Sequence, residues 1–217
     1  MEELKDNKLI EQVVKLKYTD VSKVVNKRLR DFESFKNKTR EEWFSELCFC
    51  LLTANSKAKT AIDIQNELGP KGFCNDEQDD IRDCIKEKKH RFHNNKSKYI
   101  VEARQFMNIR DMIIKMVNEK GEMAAREWLA ENVNGIGYKE SSHFMRNVGY
   151  KNLAILDRHI INLMADHGFI DERPKSLSKK KYLEIEEKFN VLARYLDMKP
   201  AELDMYMWYM KTGEVLK

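Results

Sequence analysis

The sequence predicts an all-α fold, and three observations carry that expectation. Apolar residues recur at helical spacing along most of the chain, and nothing reads as a strand. Capping residues and Gly/Pro pairs fall where the apolar stripes begin and end.

A first amphipathic segment carries Leu9, Ile10, Val13, Val14 and Leu16. Thr19 and Asp20 are cap candidates for the next stripe, Val21, Val24, Val25, Leu29, Phe32 and Phe35. Thr39, followed three residues later by Glu42, forms a capping box. It opens the most apolar helix of the chain, with Trp43, Phe44, Leu47, Cys48, Leu51 and Leu52, and a helix apolar on most sides belongs in the core. Ser56 is a cap candidate for a helix from Ala58 to Leu68, which Gly69-Pro70 stops, and Asp76 for one through Ile81 and Ile85. Phe92-His93-Asn94-Asn95 reads as a polar loop whose aromatic ring either stacks on an unpaired base or plugs a gap between helices. Three short helices follow, Lys98 to Met107, Met112 to Val117 and Ala124 to Glu131. Beyond a helix from Asp157 to His167, Pro174 to Lys181 reads as a polar link, then helices run from Tyr182 to Leu196 and from Ala201 to Met210, with Pro200 in the first turn of the last. Met205 to Met210 are dense in aromatic and thioether groups, which suits a core or lobe interface with one face able to line a cleft.

The chain has 217 residues, enough for one domain or two packed lobes, and a 42% hydrophobic content is sufficient for a core. A net charge of +4 permits a polyanionic partner where the basic residues cluster. Two clusters exist: Lys86, Lys88, Lys89, Arg91, Lys96 and Lys98, and the run Lys179-Lys180-Lys181, the second reading as a solvated helix end. The four cysteines, Cys48, Cys50, Cys74 and Cys84, form no Cys-x-x-Cys pair, which argues for a reducing compartment. No apolar run is long enough to span a bilayer and no signal-peptide pattern precedes the polar Met1 to Lys8, so no membrane association is expected and the location is expected to be intracellular, cytoplasmic or nucleoid-associated.

The centre of the chain is Asn132-Val133-Asn134-Gly135-Ile136-Gly137-Tyr138-Lys139. Two glycines one residue apart between apolar helices mark a tight turn with the spacing of a helix-hairpin-helix, whose exposed N–H groups at the start of the second helix suit a phosphate. Lys139 opens that helix, where the positive end of the dipole disfavours a cation and is expected to depress its pKa. Asp157, the expected N-cap of the following apolar helix, can be brought beside that amine by a short loop. A nucleophile with an adjacent base follows.

Asn134 to Lys139, the longer string through Glu140-Ser141-Ser142-His143-Phe144-Met145-Arg146-Asn147-Val148-Gly149, and Ala154-Ile155-Leu156-Asp157-Arg158-His159-Ile160 resemble the archaeal-type (type 2) 8-oxoguanine DNA glycosylase/AP lyases of the helix-hairpin-helix superfamily. The resemblance runs from Glu46 to the carboxyl end and departs from the wider pattern at Asn134, where proline is common. It implies two helical lobes with the active site in the cleft between them, here residues 1–35 with 160–217 as a terminal lobe and 36–159 as a central lobe containing the hairpin. It implies excision of 8-oxoguanine from double-stranded DNA and strand cleavage by Schiff-base β-elimination, by a monomer, with Lys139 and Asp157 as the catalytic pair. Gly135, Gly137 and His159 would contact the DNA backbone, and Phe92, Trp208 and Lys217 would form the base pocket. No cofactor is required; the carbonyls of Glu131, Val133 and Ile136 would hold a monovalent cation at the hairpin. The iron–sulfur cluster of endonuclease III and the adenine glycosylases is not expected, since no cysteine follows Cys84. Three other readings remain open at this point: a bifunctional glycosylase for oxidised pyrimidines, a non-catalytic helix-hairpin-helix module that grips DNA backbone, and an all-helical interaction protein.

Overall fold

The computed structural model describes residues 7–217, and among them it contains twelve α-helices and no strand. The chain forms two compact units, one running to Glu33 and resuming from Gly149 to Lys217, the other Ser34–Val148. Residues 149–159, assigned to the central lobe in the sequence reading, cluster with the terminal unit.

The central unit is built on α3 (Arg40–Thr53), every residue of which from Trp43 to Thr53 is buried. Its start is the expected capping box, with the Glu42 N–H donating to Thr39 Oγ1 at 3.2 Å and the Thr39 N–H to Glu42 Oε2 at 2.8 Å. Around it pack α4 (Ala58–Asn75), α6 (His93–Ala103), α7 (Ile109–Lys120) and α9 (Tyr138–Asn147), with α5 (Gln78–Glu87) against α6 and α8 (Glu122–Asn132) against α9. A polar tie crosses this core, since the Asn147 side-chain amide of α9 donates to buried Glu46 of α3 at 2.6 Å. Burying that carboxylate costs free energy unless it is hydrogen-bonded, and Asn147 meets that need.

Several starts differ from expectation. Gly69 breaks α4 as anticipated, with φ +60° and ψ 179°, but the chain re-enters helix at Pro70, whose ring suits a first turn. Ser56 does not cap α4; Lys57 precedes it without a side-chain cap. Asp76 does not open α5 either, because its N–H still bonds back to the Gly72 carbonyl and it closes α4, leaving Glu77 at the N-cap. His93 to Asn95 form the first turn of α6 rather than a loop, closed by the Lys96 N–H donating to the Phe92 carbonyl at 2.9 Å.

The terminal unit comprises α1 (Lys8–Lys17), α2 (Asp20–Ser34), α10 (Arg158–Asp166), α11 (Lys179–Tyr195) and α12 (Pro200–Thr212). Asn7 caps α1 and also donates to the His167 carbonyl at 2.8 Å, fastening the start of α1 to the end of α10. The lysine triplet is the first turn of α11, capped by Ser178, so the polar link ends three residues earlier than its composition suggested. No helix among the described residues is long and apolar enough to cross a membrane.

Candidate active site

The hairpin is α8, a turn through residues 133–137, and α9. Arg126 of α8, fully buried, joins its two arms: its guanidinium lies 5.0 Å from the centroid of the Tyr138 ring and donates to Ser142 Oγ at 3.4 Å. The two glycines have different reasons to be there. Gly135 sits at φ +93°, and a Cβ on it would stand 2.5 Å from Tyr99 Cδ2 and 3.1 Å from Leu51 Cδ2. Gly137 is extended at φ −118°, and a Cβ there would meet only Glu140 Oε2 at 3.8 Å, an ordinary contact. The first glycine is demanded by the turn and its packing, whereas nothing inside the protein demands the second.

Lys139 occupies the opening turn of α9, with its side chain 26% exposed. Its partner is Glu140, whose Oε1 lies 3.3 Å from the Lys139 amine, while Oε2 accepts the Gly137 N–H at 3.2 Å. One carboxylate therefore caps α9 and holds the lysine. The sequence reading missed Glu140, although a glutamate three residues after an N-cap glycine is a capping signal.

Helix α6 flanks this turn. Phe92, half-buried, sits at its N-cap, with its N–H donated to His90 Nδ1 at 3.2 Å and the Arg91 guanidinium 4.4 Å from its ring centroid. His90 is itself buried and its Nε2 lies 2.9 Å from the Leu52 carbonyl, so it carries its proton on Nε2, ties the start of α6 to α3 and is held neutral by burial. Of the basic residues counted along this stretch, Lys88 pairs with Glu67 and Lys98 with Glu102 at 3.7 Å, while Lys86, Lys89 and Arg91 are exposed. Lys96 is not part of that surface: it is buried.

In the terminal unit, Leu153 to Leu156 are buried against α11 by polar anchors. Tyr182 Oη donates to the Ala154 carbonyl at 2.8 Å and accepts the Leu156 N–H at 3.3 Å, and Glu186 accepts the Ala154 N–H at 3.1 Å. This rail delivers Asp157 to the N-cap of α10, where Oδ1 accepts the Ile160 N–H at 2.8 Å, as the sequence pattern predicts. His159 follows in the first turn of α10, its ring 5.2 Å from that of Trp208 on α12 at 87°. The Trp208 indole N–H is buried without a hydrogen-bond acceptor. Lys217, half-buried, ends the chain.

Val133 and Ile136 of the hairpin turn are buried and Glu131 is exposed in the last turn of α8. Among the described residues no group of three His, Cys, Asp or Glu side chains could hold a metal ion. The four cysteines are free and buried; burial pushes the Cys84 thiol up to about 11 and raises Cys48 and Cys74, so these are packing groups rather than nucleophiles.

The chain is 47% identical over 209 residues to the 8-oxoguanine DNA glycosylase/AP lyase of Methanocaldococcus jannaschii, covering 96% of this chain and 99% of that one. It is 41% identical to the protein of the same name from Korarchaeum cryptofilum, covering 96% and 98%. The crystal structure of the M. jannaschii 8-oxoguanine glycosylase/lyase in complex with 15-mer DNA containing 8-oxoguanine superimposes with a TM-score of 0.93 at 46% identity, over 96% of this chain and 99% of that one. The 8-oxoguanine DNA glycosylase of Thermotoga maritima superimposes with a TM-score of 0.89 at 35% identity, over 96% and 98%. A family model described as 8-oxoguanine DNA glycosylase matches residues 25–198, and with these relatives it identifies the chain as a member of the 8-oxoguanine DNA glycosylase family.

Proposed function

We propose that this protein excises 8-oxoguanine from double-stranded DNA and cleaves the strand at the resulting abasic site. The supporting observation is a match over nearly the whole chain to a relative solved with DNA containing 8-oxoguanine, beside a hairpin in this chain with a lysine at its exit. A base inside a duplex cannot be reached by a side chain, so the nucleotide is extruded, and phosphate contacts and stacking offset the cost of unstacking.

In this reading the hairpin grips a phosphate. The N–H groups at the start of α9 have no partners within the helix, and the missing Cβ at Gly137 leaves room for a close approach. The carbonyls of Glu131, Val133 and Ile136 are neutral oxygen donors of the kind that suits a monovalent cation, which would add positive charge beside that phosphate. His159 takes a second phosphate near the lesion. Phe92 and Trp208 offer aromatic faces for the base and Lys217 a polar group at its edge.

Lys139 acts as the nucleophile. It parts from Glu140, loses a proton, and attacks C1′; the N–C1′ bond forms as the glycosidic bond breaks and its electron pair leaves with the base. Ring opening yields the Schiff base, loss of a C2′ proton expels the 3′-phosphate, and water releases the enzyme. Asp157 supplies the carboxylate that stabilises positive charge at C1′ and accepts the lysine proton. The protein works as a monomer in the compartment that holds the DNA.

Borohydride trapping on an 8-oxoguanine duplex tests this. The expected result is a covalent protein–DNA adduct that is lost in Lys139→Gln. A wild-type protein that binds the duplex and yields no adduct would reduce it to a module that grips backbone.

A further inference from the structure

Two residues one turn apart on α6 hold the tip of the hairpin from outside. The Tyr99 ring occupies the space that a Cβ at Gly135 would need, and Asn134, the residue before that glycine, donates its side-chain N–H to Glu102 Oε2 at 3.3 Å. The other oxygen of the carboxylate, Oε1, lies 3.7 Å from the Lys98 amine, so Glu102 reaches the hairpin while staying paired within its own helix. Asn134 is exposed between buried Val133 and the glycine at φ +93°, and its backbone N–H donates to no acceptor among the described residues. The amide of its side chain is what fastens it.

By charge alone Glu102 is out of place. A carboxylate bonded to a turn that receives a DNA phosphate repels the polyanion, so any help it gives to binding has to come through the geometry it imposes. Charge and geometry therefore predict opposite signs when Glu102 is removed.

We propose that Glu102 is a positioning residue for the hairpin: by holding Asn134 it keeps the turn in the shape that presents the N–H groups at the start of α9 to a backbone phosphate. The inference rests on the hairpin being the phosphate grip. Its physical basis is preorganisation, since a turn already fixed in its binding shape loses less conformational entropy when the phosphate arrives. The backbone also offers a second way to fix the same turn. Val133 stands at φ −102° and ψ 110°, close to the extended geometry that a residue before proline adopts, so a proline ring at position 134 would set φ directly with no backbone hydrogen bond lost.

The test is fluorescence anisotropy on a labelled 8-oxoguanine duplex at fixed salt, with the single-turnover excision rate at saturating enzyme measured beside it. Glu102→Ala should weaken binding about fivefold, the loss expected for one exposed hydrogen bond, although removal of an acidic group would by charge alone tighten it. Glu102→Gln, which keeps an acceptor for the Asn134 N–H and drops the charge, should bind at least as tightly as wild type. In an Asn134→Pro background, Glu102→Ala should cost no affinity. The deficit should lie in affinity, with the saturated rate largely kept. The comparison of the alanine and glutamine variants stands even where Asn134→Pro fails to fold. Equal or tighter binding by Glu102→Ala, a glutamine variant as weak as the alanine one, a full alanine deficit persisting in the Asn134→Pro background, or a loss confined to the saturated rate would each overturn the proposal. A wild type without measurable affinity for the duplex would instead strike the hairpin's role as the phosphate grip.

Discussion

The indole of Trp208 and the imidazole of His159 stand edge to face, their centroids 5.2 Å apart, which joins α12 to the first turn of α10 within the terminal unit. The indole N–H is buried there without an acceptor, while the residue as a whole is half-buried. Trp208→Ala should lower excision of 8-oxoguanine by roughly 5- to 150-fold, the range that loss of one stacked base interaction of about 1–3 kcal/mol implies. Trp208→Phe, which keeps a ring and loses the N–H, should lose less. Cutting at a pre-formed abasic site, measured in parallel, should change much less in both.

Asp157 caps a helix and is proposed to act in catalysis, and the two roles separate by substitution. Asparagine caps as well as aspartate does, so Asp157→Asn should melt within a degree or two of wild type while losing most of its strand cleavage. Asp157→Ala should lose both, with a stability cost of about 1 kcal/mol in a denaturant titration. Equal activity in the asparagine variant and the wild type would leave Asp157 as a cap alone.

The glycines of the hairpin should respond in opposite ways. Gly135→Ala combines a positive φ with a clash against Tyr99 and Leu51, and should destabilise the fold by roughly 2–4 kcal/mol. Gly137→Ala should melt like wild type, because its backbone is extended and a Cβ there has room. Its deficit should instead appear as weaker DNA binding in a titration at fixed salt, where the new methyl group meets the phosphate.

His90 should impart an acid sensitivity. Burial lowers its pKa below the ordinary histidine value, so below that ordinary value the unfolded chain binds a proton more readily than the folded one. Its contribution is therefore intact above about pH 6.5 and is lost as pH falls through the folded-state pKa. Protonation also places a hydrogen on Nδ1, which then cannot accept the Phe92 N–H. Thermal melts at pH 7.5 and 5.5 should differ more for wild type than for His90→Gln.

What could be read in advance was local. The capping box at Thr39, the break at Gly69-Pro70, the hairpin turn and the Asp157 cap each depend on residues a few positions apart, so their chemistry is written in one window of sequence. Glu140 belongs to the same class, legible as the third residue after the Gly137 cap. Lys96 was different. In the sequence it is one cation in a basic run, and only the packing of α6 along the hairpin turns it into a buried charge. The facing of His159 and Trp208 was equally hidden, because it depends on how two helices distant in the chain lie together.

A hairpin turn has few backbone hydrogen bonds of its own, and here much of its firmness is borrowed from a neighbour. Tyr99 wedged against Gly135 and Glu102 holding Asn134 mean that the turn loosens chiefly when α6 lifts away from it. The slow amides of the two segments should consequently exchange with deuterium as one cooperative unit, and loosening α6 with Tyr99→Ala should speed exchange across the turn as much as within the helix.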